Sequence, residues 1–406
     1  MHPPATPKLH PSVWLFLILP FGALGGFVGV GLTFLATKHG LSVTEGAFLI
    51  AAQMLTQWLK WIWAPVVDVT LTPRRWYVIS NALSSLGVLA MAVIPLSPAT
   101  LPGLLVVIGL AGLVNSLTGM AVEAMLAAST PPAQIGRVSA WLQAGNLGGT
   151  GFGGGLGLYL LETLPSPWMA GAVVAALMMA CCLALPFAPP AMERTEHPSL
   201  RAAVGWVVRD LWTTLRTRGG ALAALLFVLP VGTGAAAGVL TQAEVAHFWS
   251  ARATEVALLQ GVFGGIVTAA GCFAGGWICQ RWHPRNAYAG IGLGLAAVAS
   301  AMAVAPATVT TYVVGSTVYN FAVGLAYAAF TATVLDAIGT RAGATKYNVL
   351  ASLSNFPIWW LGLLLGWVAD HHGATTMLHT EALLGVLGVG VFALTALQVG
   401  RRVSPA

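Results

Sequence analysis

The chain has 406 residues, 57% of them hydrophobic and only 7% charged, with a mean hydropathy of +0.82. That composition excludes a water-soluble globule, which would lack the polar residues to cover its surface. The net charge of +6 suits basic residues facing anionic headgroups and gives no argument for nucleic acid as a partner.

A helix needs about 20 apolar residues to cross a hydrocarbon core of roughly 30 Å. Runs of that length recur along the chain, and their continuity argues against the short alternating strands of a barrel. In chain order the predicted spans are 11–37, 43–69, 75–96, 101–128, 136–161, 167–188, 219–247, 253–280, 286–305, 308–336, 344–370 and 378–400. The expected fold is an all-α membrane protein, with twelve transmembrane helices in two six-helix bundles. The first run is read as a span, because it is too long for a signal peptide, lacks a small-residue cleavage site and leads straight into further spans. Cys181, Cys182, Cys272 and Cys279 all fall inside spans, where a thiol acts as a small apolar residue and a disulfide is not expected.

The stretch "LTQWLKWIWAPVVDVTLTPRRWY", Leu55 to Tyr77, runs from the second span into the start of the third. Lys60 sits in this apolar run with Trp58, Trp61 and Trp63 around it, and an ionisable group there costs a few kcal/mol unless it meets a cavity or a partner. Two readings stand. Lys60 lines a route and attracts an anionic solute, or it snorkels along its stem to the interface with the tryptophans as an aromatic belt.

With the N-terminus inside, 15 of the 18 Lys and Arg residues fall on the inner side: Lys8, Arg74, Arg75, Arg137, Arg194, Arg201, Arg209, Arg216, Arg218, Arg281, Arg285, Arg341, Lys346, Arg401 and Arg402. Only Lys38 and Arg252 fall outside, so the positive-inside rule puts both termini in the cytoplasm.

The longest polar interval, "PPAMERTEHPSLRAAVGWVVRDLWTTLRTRGG" from Pro189 to Gly220, separates six spans from six. The expected domains are residues 1–188, an N-terminal bundle; 189–218, a cytoplasmic linker with an amphipathic helix; and 219–406, a C-terminal bundle. In the linker Leu200, Val204, Val207, Leu211 and Leu215 share one helical face, as in a helix lying in the headgroup layer or a solvated connector. The halves repeat weakly: a shift of 209 residues brings Asn146 onto Asn355, Gly153 onto Gly362 and Gly157 onto Gly366. Parallel repeats of this kind belong to transporters whose halves rock about a midplane site. Gly145, Gly149, Gly153 and Gly157 recur every four residues, a spacing for close helix approach that suggests the interface between the halves.

The stretches "LTQWLKWIWAPVVD" (Leu55–Asp68) and "FGALGGFVGVGLTFLATKHGLSVTEGAF" (Phe21–Phe48) resemble the branch of the major facilitator superfamily that holds the AmpG-type muropeptide permeases and the acetyl-coenzyme A transporters. "ATEVALLQGVFGGIVTAAGCFAGGW" (Ala253–Trp277) and "ATKYNVLASLSNFP" (Ala344–Pro357) are similar to that branch's helices 8 and 11. The resemblance implies the major facilitator fold, transport by alternating access, a bacterial inner membrane and a monomer. It does not carry over the cargo: "NSLTGMAVEAMLAAST" (Asn115–Thr130) keeps Glu123 without the branch's helix-4 arginine, and twelve spans replace the fourteen of the muropeptide permeases.

The same resemblance makes Asp68, Arg74 and Arg75 a reduced form of the superfamily's helix 2–3 latch. Glu123 with Arg137, and Asp336 with Arg341 or Lys346, could form further latches; the plain alternative is interfacial salt bridges worth less than about 1 kcal/mol each. Glu123 is also a candidate proton carrier. Candidate solute contacts are Gln53, Gln57, Lys60, Asn115, Gln143, Asn146, Gln260, Tyr319, Asn320, Tyr347, Asn355, Trp359 and Trp360, all of which could equally hydrogen-bond between helices or pack. Glu244, His247, Glu255, Asp370, His371 and His372 could form an outer gate. No metal-ligand helix motif, phosphate loop or nucleophile elbow occurs, so no metal or cofactor is expected. The expected function is secondary active transport of a small anionic or polar organic solute, coupled to protons. A membrane-embedded transferase and a non-transporting membrane receptor are the alternatives.

Overall fold

The computed structural model describes residues 10–39, 41, 43–188, 200–240, 243–339 and 344–401, and all regular structure among them is helical. The helices before the linker are α1 (Val13–Gly26), α2 (Thr33–Lys38), α3 (Val43–Leu59), α4 (Ala64–Val69), α5 (Pro73–Val93), α6 (Leu101–Ser129), α7 (Ile135–Thr163) and α8 (Pro167–Ala180). The linker forms α9 (Leu200–Arg216). After it come α10 (Arg218–Val228), α11 (Ala236–Leu240), α12 (Ala243–Phe248), α13 (Ala253–Gln260), α14 (Val262–Arg281), α15 (Pro284–Val304), α16 (Val309–Ile338) and α17 (Ala344–Arg401).

Among the described residues eight helices are long and apolar enough to cross a membrane, and local causes account for the difference from twelve. The expected span 43–69 is cut by a 3-10 turn at Lys60–Ile62. Pro65, at the start of α4, has no N–H and collides with the carbonyl four residues back, so the helix cannot run through. The expected span 219–247 is in three pieces. Pro230 and the positive φ of Gly232 (61°) and Gly234 (66°) unwind the chain between α10 and α11. The freed backbone is satisfied by protein groups: Tyr288 Oη donates to the Val231 carbonyl at 2.8 Å, and Tyr312 Oη to the Leu240 carbonyl at 2.8 Å. Irregular backbone at membrane depth needs such partners. The expected spans 344–370 and 378–400 share α17, which turns at Gly373 with φ 82°. In α7, 29 residues long, glycines and amides dilute the apolarity. The expected span 253–280 is also broken, at Gly261 between α13 and α14.

Glycine decides how close the helices come. A methyl group at Gly149 would lie 2.6 Å from the Leu19 carbonyl oxygen, and one at Gly153 would collide with the Ala23 carbonyl. The stripe Gly145, Gly149, Gly153 and Gly157 thus faces α1 and the π-helical stretch Phe27–Leu32 that continues it. This corrects the expectation that the stripe lies between the two halves. That seam uses the neighbouring face of α7: Gly151 meets Gly265, and Gly136 meets Gly276, of α14.

One apolar core joins Trp14, Tyr77, Leu126 and Leu142 to Phe227, Tyr288, Leu335 and Tyr347, and so contains residues from before and after the linker. Two others stay on one side of the linker, around Leu24, Phe27 and Leu104, and around Trp249, Tyr312 and Tyr319.

Candidate functional site

The Pro65 break puts Lys60 at a point where α3 has ended and α4 has not begun. Lys60 is 5% exposed, and its Nζ lies 3.9 Å from Oε1 of Glu123 on α6. It is neither snorkelling nor isolated. Two buried charges in a low-dielectric interior hold together only because each offsets part of the other's desolvation.

The pair does not close on itself. Asn348 of α17 hydrogen-bonds the Glu123 carboxylate, and the neighbouring Tyr347 faces the same charge. Tyr347 Oη lies 3.2 Å from Thr331 Oγ1 of α16, which accepts a 2.6 Å hydrogen bond from Gln143 Nε2 of α7. Gln143 Oε1 in turn accepts from Asn146 Nδ2 at 3.0 Å. Polar side chains from both sides of the linker therefore form one buried cluster built on α6, α7, α16, α17 and the break at Lys60. Asn355 Nδ2 adds a long hydrogen bond, 3.4 Å, to the Gln57 carbonyl, while the buried Gln57 amide nitrogen has no partner among the described residues. Beside it Trp359 stacks on Trp58 with centroids 6.0 Å apart.

The bundle end that carries Arg74, Arg75, Arg137 and Arg285, here called the basic end, is fastened across the linker. Asp68 Oδ2 accepts from the Thr345 backbone N–H at 2.8 Å, and Lys346 Nζ lies 2.6 Å from Asp210 Oδ2 of α9. These differ from the expected latches. Glu123 pairs with Lys60, and Arg137 Nη2 lies 3.3 Å from His10 Nε2 instead. Asp336 faces His283 (3.7 Å) and Arg285 (4.0 Å) instead of Lys346, whose ammonium is taken by Asp210 of the linker helix; Arg341 lies outside the described residues. Arg74 donates to the Ala188 carbonyl at 2.6 Å, and the Arg75 side chain is exposed.

Other sequence candidates have their recorded partners within one side of the linker. Asn115 Nδ2 donates to the Phe21 carbonyl at 2.9 Å, and Asn320 Nδ2 to the Leu259 carbonyl at 3.3 Å. Gln53 is buried where α1 and α6 pass at Gly25 and Gly112. Trp360 packs against the core around Trp249 and Tyr312. Tyr319 Oη donates to Glu381 Oε1 at 2.6 Å, and that oxygen also accepts from the Ala236 N–H at 3.1 Å. Glu381, 5% exposed, thus ties α17 and α16 to the broken segment before α11. Its other oxygen is buried with no hydrogen-bond partner among the described residues.

At the opposite end Glu255 accepts from the Arg252 N–H and from Arg252 Nη2, both at 2.9 Å. That hydrogen bond and charge raise the Arg252 guanidinium from its ordinary value. His371 Nδ1 is 2.9 Å from the Trp367 carbonyl. The side chains of Gln260 and Glu244 lie outside the described residues. Among the described residues no group of three His, Cys, Asp or Glu side chains could hold a metal. Thr331, Asn348 and Glu381 were not sequence candidates. Asn348 adjoins Tyr347, and Glu381 is an acid inside an apolar run, so both carried a signal; Thr331 carried none.

A family model described as Major Facilitator Superfamily matches residues 14–358. Similar solved structures include the human organic anion transporter MFSD10 (TETRAN), with TM-score 0.69 and 15% identity over 94% of this chain and 98% of that one. The E. coli fucose:proton symporter FucP, in a singly substituted form, matches with TM-score 0.67 and 16% identity over 95% and 98%. A bacterial homologue of the iron transporter ferroportin, in an outward-facing state with soaked iron, matches with TM-score 0.62 and 14% identity over 96% and 99%. At these identities the likeness is one of fold, and the family model covers most of the chain. The chain belongs to the Major Facilitator Superfamily.

Proposed function

We propose that this integral membrane protein is a secondary active transporter that moves a small anionic or polar organic solute by alternating access, with proton coupling. It is not an enzyme: family and fold are those of transporters. The observation that carries the reading is the buried Lys60–Glu123 pair bonded to Asn348 across the linker. The pair lies within residues 1–188 and Asn348 within 219–406, so Glu123 loses Asn348 whenever the two sets of helices move apart, and the pair's energy differs between states. Only such differences can drive a conformational equilibrium. A lysine released from Glu123 attracts an anion, and a carboxylate released from Lys60 takes a proton. That is the minimal chemistry of coupled anion uptake.

In this reading residues 1–188 and 219–406 rock about the α7–α14 seam, with residues 189–218 as a cytoplasmic linker. The contacts at Asp68 and Lys346 hold the basic end closed. Inward-facing basic residues support both termini in the cytoplasm of a bacterial inner membrane, and the monomer is the working unit. The stretches Leu55–Asp68 and Ala344–Pro357 support kinship with the AmpG-type and acetyl-coenzyme A transporter branch. The neighbours named for an organic anion and for fucose with a proton are compatible with such a cargo.

The test has two parts. Thermal stabilisation of purified protein across anionic metabolites, sugars and peptidoglycan fragments identifies the solute. Uptake of that solute into liposomes, with and without an imposed pH gradient, then examines coupling; accumulation indifferent to the gradient contradicts it.

A further inference from the structure

A cavity of about 320 Å³ opens at the basic end, away from the Lys60–Glu123 cluster. Its lining is divided by chemistry. Arg218, His283, Arg285 and Asn286 supply its polar groups, and Leu222, Phe392 and Ala396 its apolar ones. Beyond Phe392 and Ala396 the same helix exposes Leu394 (63%) and Leu397 (62%), an apolar surface suited to lipid tails.

The charges do not balance. Asp336 is the carboxylate that faces this group, 3.7 Å from His283 and 4.0 Å from Arg285. Arg285 Nη2 also lies 3.2 Å from His283 Nε2. One guanidinium and an imidazole thus share one carboxylate, and Arg218 has no ion-pair partner among the described residues. Arg218 and Arg285 stand in the first turns of α10 and α15, whose backbone N–H groups add to the positive field.

We propose that this cavity binds a phosphate-bearing anion, held by Arg218 and Arg285. Guanidinium forks match phosphate oxygens in geometry and charge. A basic pocket between membrane helices with an apolar wall suits the headgroup of an anionic lipid, whose first methylenes follow Phe392 outward; a soluble phosphate uses the same cationic half.

The experiment measures melting of the purified full chain in detergent with added phosphatidylglycerol, phosphatidylcholine or inorganic phosphate. It compares the unsubstituted protein with R218Q, R285Q, the double variant, and R209Q as a control elsewhere on the basic surface. Phosphatidylglycerol raising the melting temperature by roughly 2–4 °C, with the gain lost in the double variant and kept in R209Q, supports a lipid headgroup. The same pattern with inorganic phosphate alone supports a soluble anion. Equal gains with phosphatidylcholine, gains unchanged in the double variant, or no gain with any probe overturn the proposal. Native mass spectrometry of bound lipid keeps the test decisive if a variant melts too early to compare.

Discussion

Asp68 Oδ2 accepts the backbone N–H of Thr345 at 2.8 Å, so the end of α4 is fastened to the first turn of α17, 277 residues later in the chain. The first N–H groups of a helix have no partner within it, and a carboxylate there meets both the free donor and the positive end of the helix dipole. Replacing Asp68 with alanine removes about 1 kcal/mol of closure. The basic end then opens about fivefold more often. Alkylation of a cysteine placed at buried Ser352 should speed up by that factor in D68A and by less in D68N; an unchanged rate contradicts the latch.

Removing one member of the Lys60–Glu123 pair leaves the other charge buried and unmatched. K60M and E123L alone should each cost about 3–5 kcal/mol. The double variant, with two apolar side chains of similar volume, should recover most of that stability. Transport should not recover. Melting temperatures and liposome uptake of the three variants separate a structural role, where uptake returns with stability, from the proposed one.

Glu381 anchors the unwound segment before α11 through Tyr319 and Ala236. In E381A both donors lose their acceptor, at about 1–3 kcal/mol each. Y319F should cost only about 1 kcal/mol, since the Ala236 bond survives. If E381A and Y319F melt alike, the carboxylate is not the anchor.

Much of this architecture is legible in the sequence. Apolar runs mark the helices, and the basic residues mark one end. The resemblance in Leu55–Asp68 and Ala344–Pro357 points to a superfamily that the family model confirms. Lys60 stands out as a cation in an apolar run, yet its partner does not, because Glu123 is 63 residues away and three other basic groups are nearer in chain or motif. Hydrogen bonds such as Gln143 to Thr331 join residues 188 apart, and no local pattern encodes them. The glycine stripe shows why spacing alone misleads: Gly145 to Gly157 guarantees close approach to some helix, and only the fold selects α1 over α14. Pro65 and the glycines at 232 and 234 do signal broken spans, but hydropathy averages over them.

At the seam, Gly136 and Gly276 bring α7 and α14 into backbone contact. G276A places a methyl group against the Gly136 carbonyl, an overpacking that costs about 1–3 kcal/mol. G290A, where nothing lies within 4 Å, should be neutral or stabilise by up to about 1 kcal/mol through helix propensity. Thermal melts of the two variants check this contrast, and equal effects would remove the seam's special status.

The claim that the two sets of helices open to one face at a time is tested most directly by spin-label distances at both ends. With the four native cysteines replaced, one label pair goes at Arg75 and His283, on the basic end, and another at Trp168 and Val304, on the opposite end. The account predicts two distance populations at each end. A bound solute or a change of pH lengthens one distance as it shortens the other. A single distance at both ends under every condition, or the two changing in the same sense, would contradict it.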